Sequence, residues 1–306
     1  MNKVSIAIPA YNQPDHLREC LQSIANQTLI NQIEVFVFDD NGPNSLEGVV
    51  SEFPQLSINY RKNNERLGAA GNISQAFSFD YKTPYVLVFH HDDTMHPRMV
   101  EEQVKILDKI EDLLWVGTKL RFAFLKDMNI FGFSDNELIK FVEYVDAGGL
   151  TLDLLRGISL SFGSVMYRKD ALGLARINYE RFSAISDRPF LVDIARHGKT
   201  AFIKNKLVNY RIHSGQDSKT NADIGIKQGV ALMQFYKEQL ASPIPWRVRR
   251  IFYICATNNL LDSYLRLGEG RPSLRQYIRD MKKNGVMNLW YLNRIGLRAI
   301  LKTVLK

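Results

Sequence analysis

Over its first hundred positions the chain alternates short apolar runs with segments of helical spacing. Residues 4–8 are an apolar run that Pro9 ends, and Pro14–Ala25 carries Leu17, Leu21 and Ile24 at helical intervals, which predicts a strand and then a helix. The pattern repeats: 33–38 predicts a second buried strand, closing in the polar turn Asp39-Asp40-Asn41-Gly42-Pro43. A short helix over 46–53, a strand over 57–60 and a helix over 68–79 follow. Residues 84–89 predict a fourth strand, and 97–110 a helix with proline near its first position. Strands joined by helices of this length imply right-handed crossovers and a parallel sheet.

After residue 113 the pattern loosens. Residues 115–125 predict a long strand, 158–167 another with Gly163 inside it, and 207–212 a third; 190–195 has helix character and ends at His197-Gly198. This half is expected to add antiparallel strands and loops to the sheet. Residues 247–306 read as helical, with Arg294, Arg298, Lys302 and Lys306 recurring every four residues between apolar flanks. The expected division is an α/β domain over 1–220 and a basic helical extension over 221–306.

Charge sharpens that division. The net charge of +8 is concentrated late, since residues 241–306 hold 13 Lys/Arg against 3 Asp/Glu, and Pro243 and Pro245 interrupt the chain there. A basic amphipathic helix suits an anionic membrane surface. It suits equally a helix packed on its own domain with a solvated basic face. Nucleic acid ranks last, because the tail carries no recognised binding motif. No run approaches the roughly 20 apolar residues of a membrane span. The N-terminus leads into the first strand without a signal-like segment, and Cys20 and Cys255 form no metal-ligand pattern. A cytoplasmic setting is expected, with the tail against the inner face of the cell membrane if it binds lipid.

The candidate chemistry gathers at strand ends. Val86-Leu87-Val88-Phe89 reads as a strand buried on both faces, and it stops at His90-His91-Asp92-Asp93. Adjacent carboxylates repel unless a cation lies between them or water covers them. In open α/β sheets, ligands bind beyond the carboxyl ends of the strands. Carboxylate oxygens suit Mg²⁺ or Mn²⁺, and those ions suit a diphosphate whose charge builds as its bond breaks. Plainer readings exist: Asp39-Asp40-Asn41-Gly42 as a solvated turn, Asp92-Asp93-Thr94 as a cap for the next helix, Asp187 as an N-cap, and Gly68-Ala69-Ala70-Gly71 as small residues packing a helix on the sheet.

Taken together, these segments resemble the family-2 glycosyltransferases. The matching pieces are Val4-Ser5-Ile6-Ala7-Ile8-Pro9-Ala10-Tyr11-Asn12, Val35-Phe36-Val37-Phe38-Asp39-Asp40, Asn64-Glu65-Arg66-Leu67-Gly68-Ala69-Ala70-Gly71-Asn72 and His90-His91-Asp92-Asp93, in the family's order. The resemblance continues to about residue 215 through Ser186-Asp187 and Tyr210-Arg211-Ile212-His213. It implies the GT-A fold, a mostly parallel central sheet with helices on both faces, followed here by the helical extension. It also implies an inverting transfer from a nucleotide-diphosphate sugar, a UDP-sugar first, to a carbohydrate or lipid-linked oligosaccharide acceptor in bacterial surface polysaccharide synthesis.

By the same resemblance, Pro9, Tyr11, Asn12, Asp40, Asn72 and Asp92 would hold the nucleotide, with Asp40 accepting a hydrogen bond from the base. Asp93 and Asp92, with His213, would hold Mn²⁺ or Mg²⁺; Arg211 would face the diphosphate; Asp187 would be the general base. Two positions depart from the family pattern. His90 stands where many members have an acidic residue, and Ser186 where many have Glu, which makes Asp193 and Asp170 the alternative bases. Two other readings stay open: a metal-dependent hydrolase using His90, His91, Asp92 and Asp93, and a non-catalytic nucleotide-sugar-binding tether. Neighbouring strand residues face opposite ways, so all four cannot easily meet one ion.

Overall fold

The computed structural model describes residues 2–123, 128, 131, 136–213, 225–265 and 272–288. The strands are β1 (Val4–Ala10), β2 (Ile33–Asp39), β3 (Ile58–Lys62), β4 (Tyr85–Val88), β5 (Thr94–Met95), β6 (Leu113–Ala123), β7 (Phe141–Tyr144), β8 (Val165–Arg168) and β9 (Lys199–Arg211). They form one sheet in the order β3-β2-β1-β4-β8-β6-β9-β5, with β7 paired to β9. β1 runs parallel to β2 and β4, and β2 parallel to β3, as the alternating pattern predicts. β8 enters antiparallel between β4 and β6, while β5 and β7 add antiparallel to β9. The register pairs Ala10 with Asp39 and Ala7 with Val88, so the carboxyl ends of β1, β2 and β4 share one edge.

The crossover helices are α1 (Pro14–Ala25), α2 (Glu47–Ser51), α3 (Gly68–Ser78) and α4 (Met99–Lys109). In α1, Pro14 occupies the first turn, where its missing N–H costs nothing, and Leu17, Cys20, Leu21 and Ile24 are buried. Each such aliphatic side chain contributes about 1.5–3 kcal/mol of burial free energy. The carboxyl end of α4 is closed from outside the helix. Arg168 donates to the carbonyls of Leu107 (2.6 Å) and Ile110 (3.2 Å), and through Nε to that of Leu113 (2.7 Å).

Two predicted strands differ in the structure. Where 158–167 reads as one strand, Phe162–Ser164 is a 3-10 turn and only Val165–Arg168 pairs. The Ser164 hydroxyl takes the Ser161 N–H (3.1 Å) and donates to the Ser161 carbonyl (2.9 Å), which draws the backbone away from a ladder. β9 is longer than the predicted 207–212. The polar stretch Lys204-Asn205-Lys206 looks like a break, yet the β6 register shifts there and Asn205 sits in the irregularity. Its side chain accepts from Lys140 N (2.8 Å).

The chain divides into two compact units. The first holds the whole sheet: residues up to Val145, Ser159–Arg176 and Ile194–His213. The second takes in Asp146–Ile158, Ile177–Asp193 and the described residues beyond 213. It contains the helices Ala147–Leu155, Gly225–Glu238, Trp246–Leu265 and Leu274–Lys283. Asp146 caps the first of these by accepting from Gly149 N (2.8 Å). Tyr277 stacks near Tyr264, with ring centroids 4.7 Å apart, and donates its hydroxyl to the Leu260 carbonyl. Among the described residues, no helix is long and apolar enough to cross a membrane. The predicted basic stripe Arg294, Arg298, Lys302 and Lys306 lies outside the described residues.

Candidate active site

The shared edge of β1, β2 and β4 gathers four segments: the loop after Ala10, the turn after Asp39, the approach to α3, and the turn from Phe89 to Asp93. Polar groups that a buried strand does not need accumulate there.

The last of these is built around two carboxylates. β4 stops at Val88, and the Asp93 N–H returns to the His90 carbonyl (3.3 Å), so 90–93 is a turn and strand alternation no longer separates its side chains. Ligand atoms of His90, Asp92 and Asp93 consequently lie within 4.8 Å of one another. Asp93 is fully buried. Its Oδ1 accepts the Arg211 N–H (2.9 Å) and its Oδ2 lies 3.3 Å from His90 Nδ1. Asp92 Oδ2 lies 3.0 Å from His213 Nε2.

The two acids are driven apart electrically. Burial alone would raise Asp92, but the His213 hydrogen bond and the nearby His91 and His90 more than reverse it, holding Asp92 below the usual carboxylate range. Burial and the Asp92 charge push Asp93 up, against its bonds to His90 and the Arg211 N–H. Burial also lowers His91 and His16, keeping both imidazoles neutral and able to accept. The buried Asp93 and part-buried Asp92 carboxylates beside the His90 imidazole, one of them costly to ionise alone, make a donor set that fits a divalent cation. His91 stands apart from the group: it bonds the Pro9 carbonyl, and its Nε2 is buried without a hydrogen-bond partner among the described residues.

The second part of the site is a polar pocket at the ends of β1 and β2. Asp40 is buried, and its Oδ1 accepts both Leu67 N (2.7 Å) and Asn63 Nδ2 (3.1 Å). Its Oδ2 accepts nothing among the described residues, which leaves it for a ligand donor. Asn72 is spent on the scaffold: its amide donates to the Phe38 carbonyl (2.9 Å) and accepts from Asn63 (3.3 Å). Asn12 has a positive φ of 51°, tolerated by Asn, and takes Asn44 N at 3.0 Å, tying the first loop to the second. Gly42 makes that approach possible, since a Cβ there would stand 2.8 Å from Asn12 Cβ. Tyr11 carries the Arg66 guanidinium 4.2 Å from its ring centroid. Pro9 is buried in β1.

The remaining predicted residues fall as follows. Arg211 is buried in the sheet unit, with Nε on the Asp92 carbonyl (2.6 Å) and Nη2 on Glu19. Asp187 opens the helix Asp187–Ala195 in the second unit, where its Oδ1 accepts Arg188 N (2.8 Å) and buried Tyr236 lies nearby. Asp193 lies in the same helix, and Asp170 in the 3-10 turn after β8. His90, a metal ligand in the hydrolase reading alone, stands in the cluster, while Glu19, His16 and Arg66 carry no role in the sequence pattern. His90 was legible in principle, three residues before Asp93 in a turn. The Glu19 contact, from α1 to the end of β9, was not.

Residues 5–128 match the sequence profile described as Glycosyl transferase family 2. An uncharacterized glycosyltransferase of Rickettsia typhi is 25% identical over 220 residues, 71% of this chain, and this chain spans 66% of that relative's length. Among solved structures, S. aureus TarS 1-349 in complex with UDP-GlcNAc superposes with a TM-score of 0.55 at 14% identity, over 92% of this chain and 89% of that one. The mannosyltransferase PcManGT of Pyrobaculum calidifontis, in complex with GDP-Man and Mn²⁺, gives 0.56 at 14% identity, over 99% and 87%. At that identity the likeness is one of fold, and the fold is GT-A.

Proposed function

Since residues 5–128 belong to glycosyl transferase family 2, we propose that this chain transfers a sugar from a UDP-sugar to a hydroxyl of a carbohydrate or lipid-linked oligosaccharide acceptor, with inversion. The setting proposed is bacterial surface polysaccharide synthesis. The observation that carries this reading is the convergence of Asp92, Asp93 and His90 beyond β4, on the sheet edge that also bears Asp40.

In this reading Asp93, Asp92 and His90 hold a divalent ion, with His213 fixing Asp92. Bound there, Mn²⁺ or Mg²⁺ supplies charge neutralisation for the departing nucleoside diphosphate. Asp40 Oδ2 accepts the imide N–H of a uracil-type base, and Tyr11 with Arg66 borders that base. Asp187 takes the proton of the acceptor hydroxyl as its oxygen attacks the anomeric carbon; the bond to the diphosphate oxygen breaks, and attack from the opposite face inverts the centre. Arg211 serves as a clamp on the 92–93 turn. Support for a nucleotide-sugar donor comes from the two fold neighbours, solved in complex with UDP-GlcNAc and with GDP-Man and Mn²⁺. The basic residues beyond 246 would rest on an anionic membrane carrying the acceptor, which keeps the enzyme at the inner face of the cell membrane.

Calorimetric titration with UDP, with and without Mn²⁺, tests the reading on the wild-type protein and on Asp93→Asn. Binding that needs both the metal and Asp93 is expected. If UDP, dTDP and GDP all fail to bind, the transferase reading is lost. The presence of His90 in the cluster favours one rival, a metal hydrolase. That rival requires UDP-sugar cleavage at a rate no acceptor increases.

A further inference from the structure

Helix α1 starts directly after the Tyr11-Asn12-Gln13 loop, and one of its faces meets the His90 carbonyl and the two residues, Arg211 and His213, that hold the 90–93 turn. His16, Glu19 and Cys20 are spaced i, i+3, i+4 and share that face. The His16 ring meets the His213 ring edge-on at 5.3 Å, and His213 holds Asp92. Glu19 accepts from Arg211 Nη2. Arg211 in turn donates from Nε to the Asp92 carbonyl (2.6 Å) and from its backbone to Asp93 Oδ1 (2.9 Å). The Cys20 thiol points at the His90 carbonyl, 3.7 Å away. The other ionic contacts of α1 lie elsewhere: Arg18 pairs with Asp15 and Glu52.

We infer that Glu19 is a positioning residue of the metal site, acting through Arg211 to hold the 90–93 turn, and with it Asp92 and Asp93, in the geometry that a divalent ion requires. The Arg211 guanidinium is 1% exposed. A buried cation whose fork is already committed to one carbonyl needs an anion to hold its remaining N–H groups. Glu19 supplies such an anion from helix α1. Without Glu19 the guanidinium is freer to turn toward the Asp92 and Asp93 carboxylates beside it. Its charge and donors then compete with the incoming metal. Partners bonded directly to metal ligands typically change metal affinity about 10- to 100-fold, and Glu19 acts one bond further out, through Arg211, so the lower end of that range is expected. The inference rests on the divalent-ion reading proposed above.

The test is Mn²⁺ binding to the full chain without nucleotide, followed by calorimetry and by loss of the free-ion electron paramagnetic resonance signal. Glu19→Ala is expected to raise the Mn²⁺ dissociation constant about tenfold. Glu19→Gln, which keeps an oxygen for Nη2, is expected to recover part of that loss. Glu52→Ala breaks the other ion pair of α1 and is expected to leave Mn²⁺ affinity within about twofold of wild type. Glu19→Ala binding within about twofold of wild type overturns the inference, and so does an equal loss in Glu52→Ala, which would mean a loosened helix. Should the wild-type protein take up no Mn²⁺, the metal reading itself falls and this inference with it.

Discussion

His213 Nε2 and Asp92 Oδ2 stand 3.0 Å apart, joining residues 121 positions distant in the chain. That bond is a main reason Asp92 stays ionised despite its burial. Replacing His213 with alanine removes it, and the two neighbouring carboxylates then share a proton more readily. Mn²⁺ affinity is expected to fall about 10- to 100-fold, with UDP binding in the absence of metal little changed. Calorimetry with each ligand separately checks the split.

Asp93 gives the site a pH dependence of definite sign. Its pKa is raised in the folded protein, to about 6, chiefly by burial and by Asp92. A carboxyl raised on folding costs stability as it ionises, so the metal-free protein loses stability as pH rises from the ordinary Asp value through that point. Saturating Mn²⁺ binds the ionised form and reverses the trend. The thermal midpoint with Mn²⁺ minus that without is therefore expected to grow between about pH 5 and pH 7. Asp93→Asn keeps an acceptor for the Arg211 N–H and is expected to fold normally while losing both the slope and the Mn²⁺ shift.

The sheet edge was readable in the sequence because its strands announce themselves twice, by continuous apolar runs and by polar residues that a buried strand has no use for. Asp39-Asp40 and His90-His91-Asp92-Asp93 are both of this kind, and the family resemblance assigned them in order. Side-chain direction was not readable. Asn72 has the composition of a ligand contact but spends its amide on the Phe38 carbonyl and Asn63. Arg211, expected at the diphosphate, is drawn inward by Glu19 and the Asp92 carbonyl. Apart from the Asn63 bond, these outcomes depend on contacts between residues 34 to 192 positions apart, which local pattern does not encode. The strand predicted over 158–167 failed for a local reason that pattern could have flagged, since Ser161, Gly163 and Ser164 all favour a turn.

Gly42→Ala probes the nucleotide side independently of the metal. The added methyl would stand 2.8 Å from Asn12 Cβ, and real Cβ atoms do not come so close. The obstacle is the start of a side chain on a residue already at positive φ, so the loops at 11–13 and 40–44 must part. UDP affinity is expected to fall about tenfold or more, as for loss of one charge-assisted hydrogen bond. Mn²⁺ affinity measured without nucleotide is expected to stay at the wild-type value, because the atoms nearest a Cβ at Gly42 all belong to Asn12.

The assignment of the base is tested by Asp187→Asn. The substitution is nearly isosteric, and its remaining oxygen can still take the Arg188 N–H that Asp187 Oδ1 accepts at 2.8 Å, so the start of the helix is kept. What is removed is the capacity to take a proton. A general base contributes about 10²- to 10⁴-fold to such a transfer, and the loss is expected in kcat while UDP and Mn²⁺ affinities stay at wild-type values. Single-turnover transfer from a UDP-sugar to an acceptor, run beside calorimetry, separates the two. A kcat within a few-fold of wild type would remove Asp187 from the mechanism and turn attention to Asp193 in the same helix. A loss of UDP affinity instead would make Asp187 part of donor binding.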